Sequence, residues 1–588
     1  MYFTLAISAA TRERCAALVS AAESTDPRVM PIPGPAVVAW RASDERAAVL
    51  CWPGGTTPPD PPAMAWPEPD VKAGRSHAGT IWTDDDGLHA RTGVTRVDPV
   101  YLAEVPGAVL VSDRASWAAA VAGRLAEPDS VMAAAFLSLG YPVGAATPFR
   151  GVRALGAQRQ LTITAGRPIA VAAQPDGTGG DRTGADGTGA DGTGADGSYG
   201  AVAAALVDAV RPLGERGVPV ELSLTGGKDS RLIAAALTAA QVPFRARTHG
   251  FASHPDVIVA AMIASKLGIE HVVTEPRPAA PERAPDEADV LARLRSAVLV
   301  SDGMLSAFEN VGRPDPRLTV SPVQTGGHGG ELLRGGYAPA AWSARRPARA
   351  WSEARGGELF RRMITRRLGL LRPAAAGAYL ASLAPFAASL PRGPLRTLDD
   401  FYLANRAGRW SAAARQAYLL REPLVQPFFG DQVVRAARAV PLPDRITDRL
   451  HRGVLAALCP ELLDLPLADS SWKSGPRIPP VRTAGPTGPA DAGGAADWRR
   501  AYGDQMARLL RDYALDLGAA GGMFEIVRRS AAERALAPPQ ADSHAAWALA
   551  TLAALLSGDW LNAREGTEVS PGRSASRPAR RTPLPPRA

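Results

Sequence analysis

An apolar run that stops at a pair of glycines and passes at once into helix leaves a chain few folds to choose from. Here the run is Leu222-Ser223-Leu224, the turn is Thr225-Gly226-Gly227-Lys228-Asp229-Ser230, and Ile233 to Ala240 reads as the helix. Strand, tight turn and helix N-terminus in that order are the unit of a parallel α/β sheet. Gly226 and Gly227 let backbone N–H groups approach a ligand closely. Thr225 and Ser230 add hydroxyl donors, and the positive end of the helix favours an anion. An aspartate is out of place in a pure anion site unless it holds a cation, so Asp229 points to a magnesium–phosphate complex. The G-x-x-x-x-G-K-[ST] spacing of a Walker A loop is missing.

The string resembles the PP-loop, S-G-G-x-D-S, of ATP pyrophosphatases, with Thr225 in place of the first serine. Those enzymes split ATP between the α and β phosphates and leave AMP on a carboxylate or carbonyl oxygen. Glycine turns are common, but T-G-G-K-D-S after an apolar strand is not. A second stretch, Gln324-Thr325-Gly326-Gly327-His328-Gly329-Gly330-Glu331-Leu332-Leu333-Arg334-Gly335-Gly336-Tyr337, follows the Pro-interrupted apolar run Leu318 to Val323. Taken alone it reads as a flexible glycine-rich loop. It resembles S-G-x-G-S-D-E-x-F-G-G-Y of the asparagine synthetase family. Aligned on the closing G-G-Y, Glu331 falls where that family has an aspartate, and its longer side chain shifts the geometry.

The resemblance implies that Asp229 and Glu331 hold Mg2+. It also implies that ATP and pyrophosphate lie on Ser223, Thr225, Gly226, Gly227, Lys228, Asp229, Ser230, Gly326 and Gly327. The adenine is expected against the strand ending at Thr248. Asp256 matches an acidic position in the next helix, and equally reads as a helix-start residue.

Lysine usage is a separate clue. Of 66 lysines and arginines, only Lys72, Lys228, Lys266 and Lys473 are lysines. A compact ammonium is something arginine cannot mimic. Lys228 occupies the variable position of the PP-loop. Lys473, in Asp469-Ser470-Ser471-Trp472-Lys473-Ser474-Gly475, follows the helical pattern Leu450 to Leu463. Its place matches a C-terminal lysine of β-lactam synthetases that neutralises charge in the transition state and on pyrophosphate. A solvated surface lysine is the alternative.

Composition fits a large enzyme. A chain of 588 residues with 46% hydrophobic content supports several domains and sizeable cores. Met1 to Thr11 lacks a basic n-region and reads as a short strand, not a signal peptide. The longest apolar run, Ala545 to Leu556, is too short to span a bilayer. Cys15, Cys51 and Cys459 form no C-x-x-C and no metal set, so a reducing cytoplasm is expected. The net charge of +8 invites a nucleic-acid reading. Half of it, however, lies in a Pro/Ser/Arg-rich tail with Arg573, Arg577, Arg580, Arg581 and Arg587, which reads as disordered.

The expected organisation is α/β overall: an α+β domain at the N-terminus, then an α/β domain with a parallel sheet and a helical C-terminal part. Residues 1–175 form a first domain, in which Ala47 to Trp52, Thr80 to Trp82, Ala108 to Ser112 and Leu161 to Thr164 read as strands. Arg114 to Leu125 and Ser130 to Leu139 read as helices. Residues 176–198 repeat T-G-A-D-G and read as a flexible linker. Residues 199–565 form the synthetase domain, starting with a helix from Tyr199 to Arg211. Phe244 to Thr248 reads as its second strand and His254 to Leu267 as a helix, so a parallel sheet is expected with ligands beyond its strand C-termini. From Leu398 the chain reads largely helical, and residues 566–588 are the tail. Ile478 to Asp497, rich in Pro and Gly, reads as a mobile loop beyond Lys473. Arg406, Arg409 and Pro427-Phe428-Phe429-Gly430-Asp431 are similar to the synthetases' arginine-rich segment and P-F-L-D.

The first domain resembles the class II glutaminase (Ntn-type) domain of asparagine synthetases through Pro99-Val100-Tyr101, Val109 to Arg114 and Thr147 to Val152. Glutaminases of that family place cysteine second, whereas Tyr2 stands here, and Cys15 lies inside an expected helix. The domain is therefore not expected to release ammonia from glutamine, and the amine must already be in the substrate. Relatives of this kind close rings: β-lactam synthetases and lasso peptide cyclases. The strings S-L-T-G-G-K-D-S-R, S-D-G-M-L (Ser301 to Leu305) and G-G-E-L-L-R-G-G-Y look most like lasso peptide cyclases, and the resemblance covers nearly the whole chain apart from linker and tail. It implies adenylation of a peptide Asp or Glu, closure by the peptide's N-terminal amine, and a leader-binding protein and leader peptidase as partners.

β-Lactam synthetases deprotonate their amine with a tyrosine–glutamate pair. In the aligned loop His328 holds the tyrosine's place and is a candidate base, with Glu422, Asp399 and Asp400 as unranked acidic partners. A small-molecule amide ligase would share every ATP-site residue. A tRNA-modifying PP-loop enzyme would carry a basic, aromatic-studded extra domain, which is not evident. A non-catalytic relative would have lost Asp229, Glu331 or Lys473.

Overall fold

The computed structural model describes residues 2–32, 34–53, 80–84, 87–164, 167–173, 193–215, 217, 219–275, 287–309, 322–343, 348–468, 470–476, 478–481, 504–537 and 542–563. The basic tail, most of the T-G-A-D-G repeat, Asp469 and most of the loop beyond Lys473 fall outside them.

The N-terminal part carries ten strands: β1 (Tyr2–Ala9), β2 (Val37–Arg41), β3 (Ala47–Pro53), β4 (Thr80–Asp84), β5 (Gly87–Arg91), β6 (Tyr101–Val105), β7 (Ala108–Ser112), β8 (Val152–Ala154), β9 (Arg159–Thr164) and β10 (Arg167–Ala173). They form a six-stranded sheet in the order β2-β3-β1-β7-β6-β8 and a four-stranded sheet β10-β9-β5-β4. Every pairing in these two sheets is antiparallel. The six-stranded sheet is buried on both faces, and period-two alternation sorts its side chains. Ala6, Val49, Leu102, Val109 and Val111 pack with Ile81, Leu88, Leu161 and Ile163 of the four-stranded sheet. Their neighbours Leu5, Ile7, Leu50, Trp52, Ala103 and Leu110 point the other way, into a core that also contains Trp117, Phe136, Leu294, Trp547 and Leu549. That second core is filled by helices from both ends of the chain, so the N-terminal sheet is roofed in part by helices Glu287–Ser301 and Ser543–Ser557.

The rest of the chain forms a parallel sheet of β11 (Val220–Ser223), β12 (Phe244–His249), β13 (His271–Thr274), β14 (Val323–Gly326) and β15 (Leu424–Val425), in the order β13-β12-β11-β14-β15. This is the expected parallel α/β arrangement. The two residues of β15 fall in a region the sequence reads as helical; β14 recruits them by pairing Thr325 with Val425. Helices Lys228–Ala239 and Pro255–Leu267 return the chain between strands. Leu222, Leu232, Ile233, Val259 and Phe428 share the core beneath the sheet.

Several boundaries differ from expectation. The helix expected over Arg114 to Leu125 is Ala115–Val121; Gly123, at φ 71, ends it with a left-handed turn. The helix expected from Tyr199 begins at Thr193 and runs to Glu215, so the last residues of the T-G-A-D-G repeat are helical and not linker. The pattern Leu450 to Leu463 breaks into helix Arg449–Leu458 and a 3-10 turn Pro460–Asp464, because Pro460 has no N–H to continue the ladder.

The two parts are fastened by buried polar contacts. Arg415 Nε donates to Asp98 at 2.8 Å, the Val94 amide donates to Asp431 at 2.9 Å, and Tyr141 and Tyr337 share a hydroxyl bond of 2.8 Å. Arg409 is buried and reaches the Ala146 carbonyl. Arg406 lies over the Tyr141 ring, 5.8 Å from its centroid. The arginine-rich segment and P-F-F-G-D therefore act as fasteners between the parts.

Candidate active site

The site is built at the carboxyl ends of β11 and β14, which sit side by side with Ser223 opposite Gly326. The turn after β11 delivers Lys228, Asp229 and Ser230 into the first turn of helix Lys228–Ala239, whose N-cap Gly227 makes no side-chain capping bond. That leaves the positive end of the helix open at the strand tips.

The turn satisfies several of its own amides. The Thr225 amide donates to Ser230 Oγ at 3.1 Å, the Gly227 amide to Thr225 Oγ1 at 3.3 Å, and the Gly226 amide to Asp256 Oδ1 at 2.8 Å. Asp256 thus stands in the first turn of its helix and holds the glycine turn at once. Its reading as a helix-start residue is realised.

Glycines matter here because backbones pass close together. A Cβ on Gly226 would lie 2.6 Å from Ala468 Cβ, and one on Gly327 would lie 2.7 Å from the Ser230 amide nitrogen. A Cβ on Gly330 would lie 2.2 Å from Asp229 Cγ. The second glycine-rich stretch therefore drapes directly over the aspartate of the first.

Asp229 sits between two donors. His451 Nε2 is 3.0 Å from Oδ1, and Arg334 Nη2 donates to Oδ2 at 2.7 Å. Burial pushes this carboxyl up, but the His451 and Arg334 contacts outweigh it and hold Asp229 below the usual aspartate value. The same Arg334 nitrogen lies 3.7 Å from Glu331 Oε1, and the Glu331 side chain is 47% exposed. One guanidinium thus touches both carboxylates that the sequence reading assigned to magnesium. Among the described residues no group of three or more His, Cys, Asp or Glu could hold a metal ion. Two hard carboxylates with phosphates completing the shell suit Mg2+, which is seldom caged by protein alone.

A second cluster faces the first. Lys228 Nζ donates to Asp448 Oδ2 at 2.6 Å, and the Lys473 amide donates to the same oxygen at 3.0 Å. Lys473 Nζ reaches the Ile446 carbonyl at 3.1 Å. Burial lowers the Lys473 ammonium pKa, with Lys228 and Arg334 adding repulsion and Asp448 opposing it. Three cations thus converge on the glycine turn. The loop carrying Lys473 is pinned from behind by Arg231, which donates to the Leu462 and Leu465 carbonyls at 3.0 Å each. The Ala468 amide bonds the Gly226 carbonyl at 3.2 Å. Among the described residues, several buried polar atoms around the turn have no hydrogen-bond partner: Thr325 Oγ1, Asp448 Oδ1, His451 Nδ1, Trp472 Nε1 and Ser474 Oγ.

Ser223, Thr225, Gly226, Gly227, Lys228, Asp229, Ser230, Gly326, Gly327, Glu331 and Lys473 are therefore brought together. Thr248 is buried and its hydroxyl is committed to the Leu224 carbonyl at 2.7 Å and to His271 Nε2 at 2.8 Å. Only its backbone can face a ligand. His328 is exposed, its ring 6.2 Å from that of Tyr418. Asp399 is buried against Arg445 and Arg438, and Asp400 is bonded to Arg438. Glu422 lies close enough to bear on the Tyr418 phenol, which burial pushes up.

Sequence reading missed Arg334, Asp448 and His451. Arg334 lay inside the quoted glycine-rich string, and His451 was the one imidazole in the helical pattern Leu450 to Leu463. Asp448 left no signal beyond preceding that helix.

Residues 201–557, more than half of the chain, match the asparagine synthase family. A search of curated proteins finds no match.

Proposed function

This chain belongs to the asparagine synthase family, whose members are ATP-dependent carbon–nitrogen ligases, and on that premise we propose that it is a lasso peptide cyclase. The proposed substrate is a precursor peptide. Its Asp or Glu side chain attacks the α-phosphate of ATP, giving an acyl-adenylate and releasing pyrophosphate. The peptide's N-terminal amine then attacks the acyl carbon, AMP leaves, and an isopeptide ring closes. The observation that carries the adenylation step is the pair Asp229 and Glu331 on one Arg334 nitrogen, beside an uncapped helix N-terminus and the lysines Lys228 and Lys473.

In this reading the open helix end and Lys228 receive the β and γ phosphates, and Lys473 offsets charge as pyrophosphate separates. Asp229 and Glu331 would hold magnesium, which neutralises phosphate charge when bound. Holding the folded peptide supplies much of the remaining rate. In this reading His328, exposed beside Tyr418, takes the proton of the attacking amine.

The N-terminal part, in this reading a glutaminase-type Ntn domain, supports the choice of an internal amine. Cys15 and Cys51 are both buried, and burial pushes the Cys51 thiol up to about 12. Neither is a nucleophile for glutamine. The three family-like strings favour a peptide over a small molecule. Arg334, Arg231 and Asp302, one from each string, are all engaged in buried contacts. A leader-binding protein and a leader peptidase are the proposed partners. Among the described residues no single helix is long and apolar enough to cross a membrane.

The test is mass spectrometry of the purified protein with Mg-ATP and leaderless peptides that start with Gly and carry Asp or Glu near the eighth position, with AMP and pyrophosphate assayed in parallel. Loss of one water with AMP formation, abolished by Asp229→Ala, supports the cyclase. AMP without dehydrated peptide moves the reading to a β-lactam synthetase-like small-molecule ligase, and ADP in place of AMP overturns the adenylation chemistry.

A further inference from the structure

Asp448 has no role in the chemistry above, yet it is tightly held at the site. It is fully buried and adopts φ 65, a left-handed conformation that few residues other than Gly, Asn and Asp tolerate. It precedes helix Arg449–Leu458 without capping it through its side chain. Its carboxylate is turned instead to the glycine turn. Oδ2 accepts from Lys228 Nζ at 2.6 Å and from the Lys473 amide at 3.0 Å, and Oδ1 is buried without a partner among the described residues. Lys228 is the first residue of the helix that follows the turn, and its ammonium lies 5.5 Å from the Trp472 ring.

A buried carboxylate on Lys228 is a competitor for any phosphate bound at that helix end. A buried charged oxygen without a partner among the described residues persists at a site where something other than stability is served. Resting on the adenylation reading, we propose that Asp448 is a positioning residue that holds Lys228 back from the phosphate subsite and registers the Lys473 loop against the glycine turn, so that pyrophosphate is released readily after it has formed. The anion that competes with Asp448 is an inorganic polyphosphate, and the lysine is shared between the two.

The probe is magnesium pyrophosphate titrated calorimetrically into the full-length protein. Wild type binds it and Asp229→Ala weakens it; absence of binding to wild type overturns the adenylation reading itself, independently of Asp448. Given binding, Asp448→Asn, which suits a left-handed backbone, is expected to tighten pyrophosphate by at least about fivefold, because a negative charge beside the subsite has been removed. Turnover with a productive peptide is expected to fall while KM for ATP also falls. Lys228→Met is expected to weaken pyrophosphate and to erase the gain when combined with Asp448→Asn. Asp448→Gly, free of backbone strain, should reproduce the tightening and serves if the Asn variant does not fold. Unchanged or weaker pyrophosphate binding in a folded Asp448 variant, or a gain that survives Lys228→Met, overturns the proposal.

Discussion

His451 Nε2 lies 3.0 Å from Asp229 Oδ1, across 222 residues of chain. The imidazole is fully buried and is the partner that, with Arg334, keeps Asp229 ionised against desolvation. His451→Ala removes that bond and leaves a void beneath the glycine turn. It should reduce stability by about 2 kcal/mol in urea unfolding and lower AMP formation at least about tenfold. Unchanged AMP formation would remove His451 from the site.

Close approach of the second glycine-rich stretch makes a steric prediction. Gly330→Ala places a methyl 2.5 Å from Asp229 Oδ1, whereas Gly326→Ala meets nothing nearer than Ser223 Cβ at 3.3 Å. Displacing a reacting group by an ångström costs on the order of a hundredfold in rate. Gly330→Ala should lose that much AMP formation with its circular dichroism intact, and Gly326→Ala should lose far less. Equal losses would mean that the loop shifts as a whole.

All three cysteines are buried, Cys15 at 1% and Cys51 and Cys459 at 2% exposure. Burial raises each thiol, Cys51 and Cys459 to about 12. Alkylation by iodoacetamide at mild alkaline pH should be at least about a hundredfold slower in the native protein than after unfolding. Cys15 or Cys51 reacting promptly in the native state would reopen a nucleophile in the N-terminal part.

Asp559 accepts from Arg295 Nε at 2.8 Å and Nη2 at 2.9 Å, beside Tyr513. Burial pushes this carboxyl up, but Arg295 and Tyr513 outweigh it and hold it below its ordinary value of 3.8. A depressed carboxyl contributes stability that is complete above the ordinary value and is lost as pH falls through the folded one. Urea unfolding should show a constant gap between wild type and Asp559→Asn from about pH 5 to 8, closing below about pH 4. A gap that widens in acid would reverse the sign.

Much of this was legible along the chain because the signals are local. The apolar runs of β3 and β7, the glycine turn after β11 and the apolar pattern of Ser130–Leu139 each depend on neighbours a few residues apart, so they survive in the sequence. Boundaries set by one residue, such as Gly123 or Pro460, were legible in kind but misplaced, because a pattern does not say where packing lets it stop.

By itself the sequence determined a parallel α/β sheet with a glycine turn at its head, an acidic residue in that turn, a second glycine-rich stretch and a rare lysine beyond both. Only the tertiary structure decided that Arg334 would touch Asp229 and Glu331 together, that His451 would close on Asp229, and that Asp448 would bind Lys228 to the Lys473 loop. These are contacts between side chains more than a hundred residues apart in most cases. Their partners are chosen by which strand lies beside which and by the burial that makes an unpaired charge intolerable, and neither leaves a periodic mark on the chain.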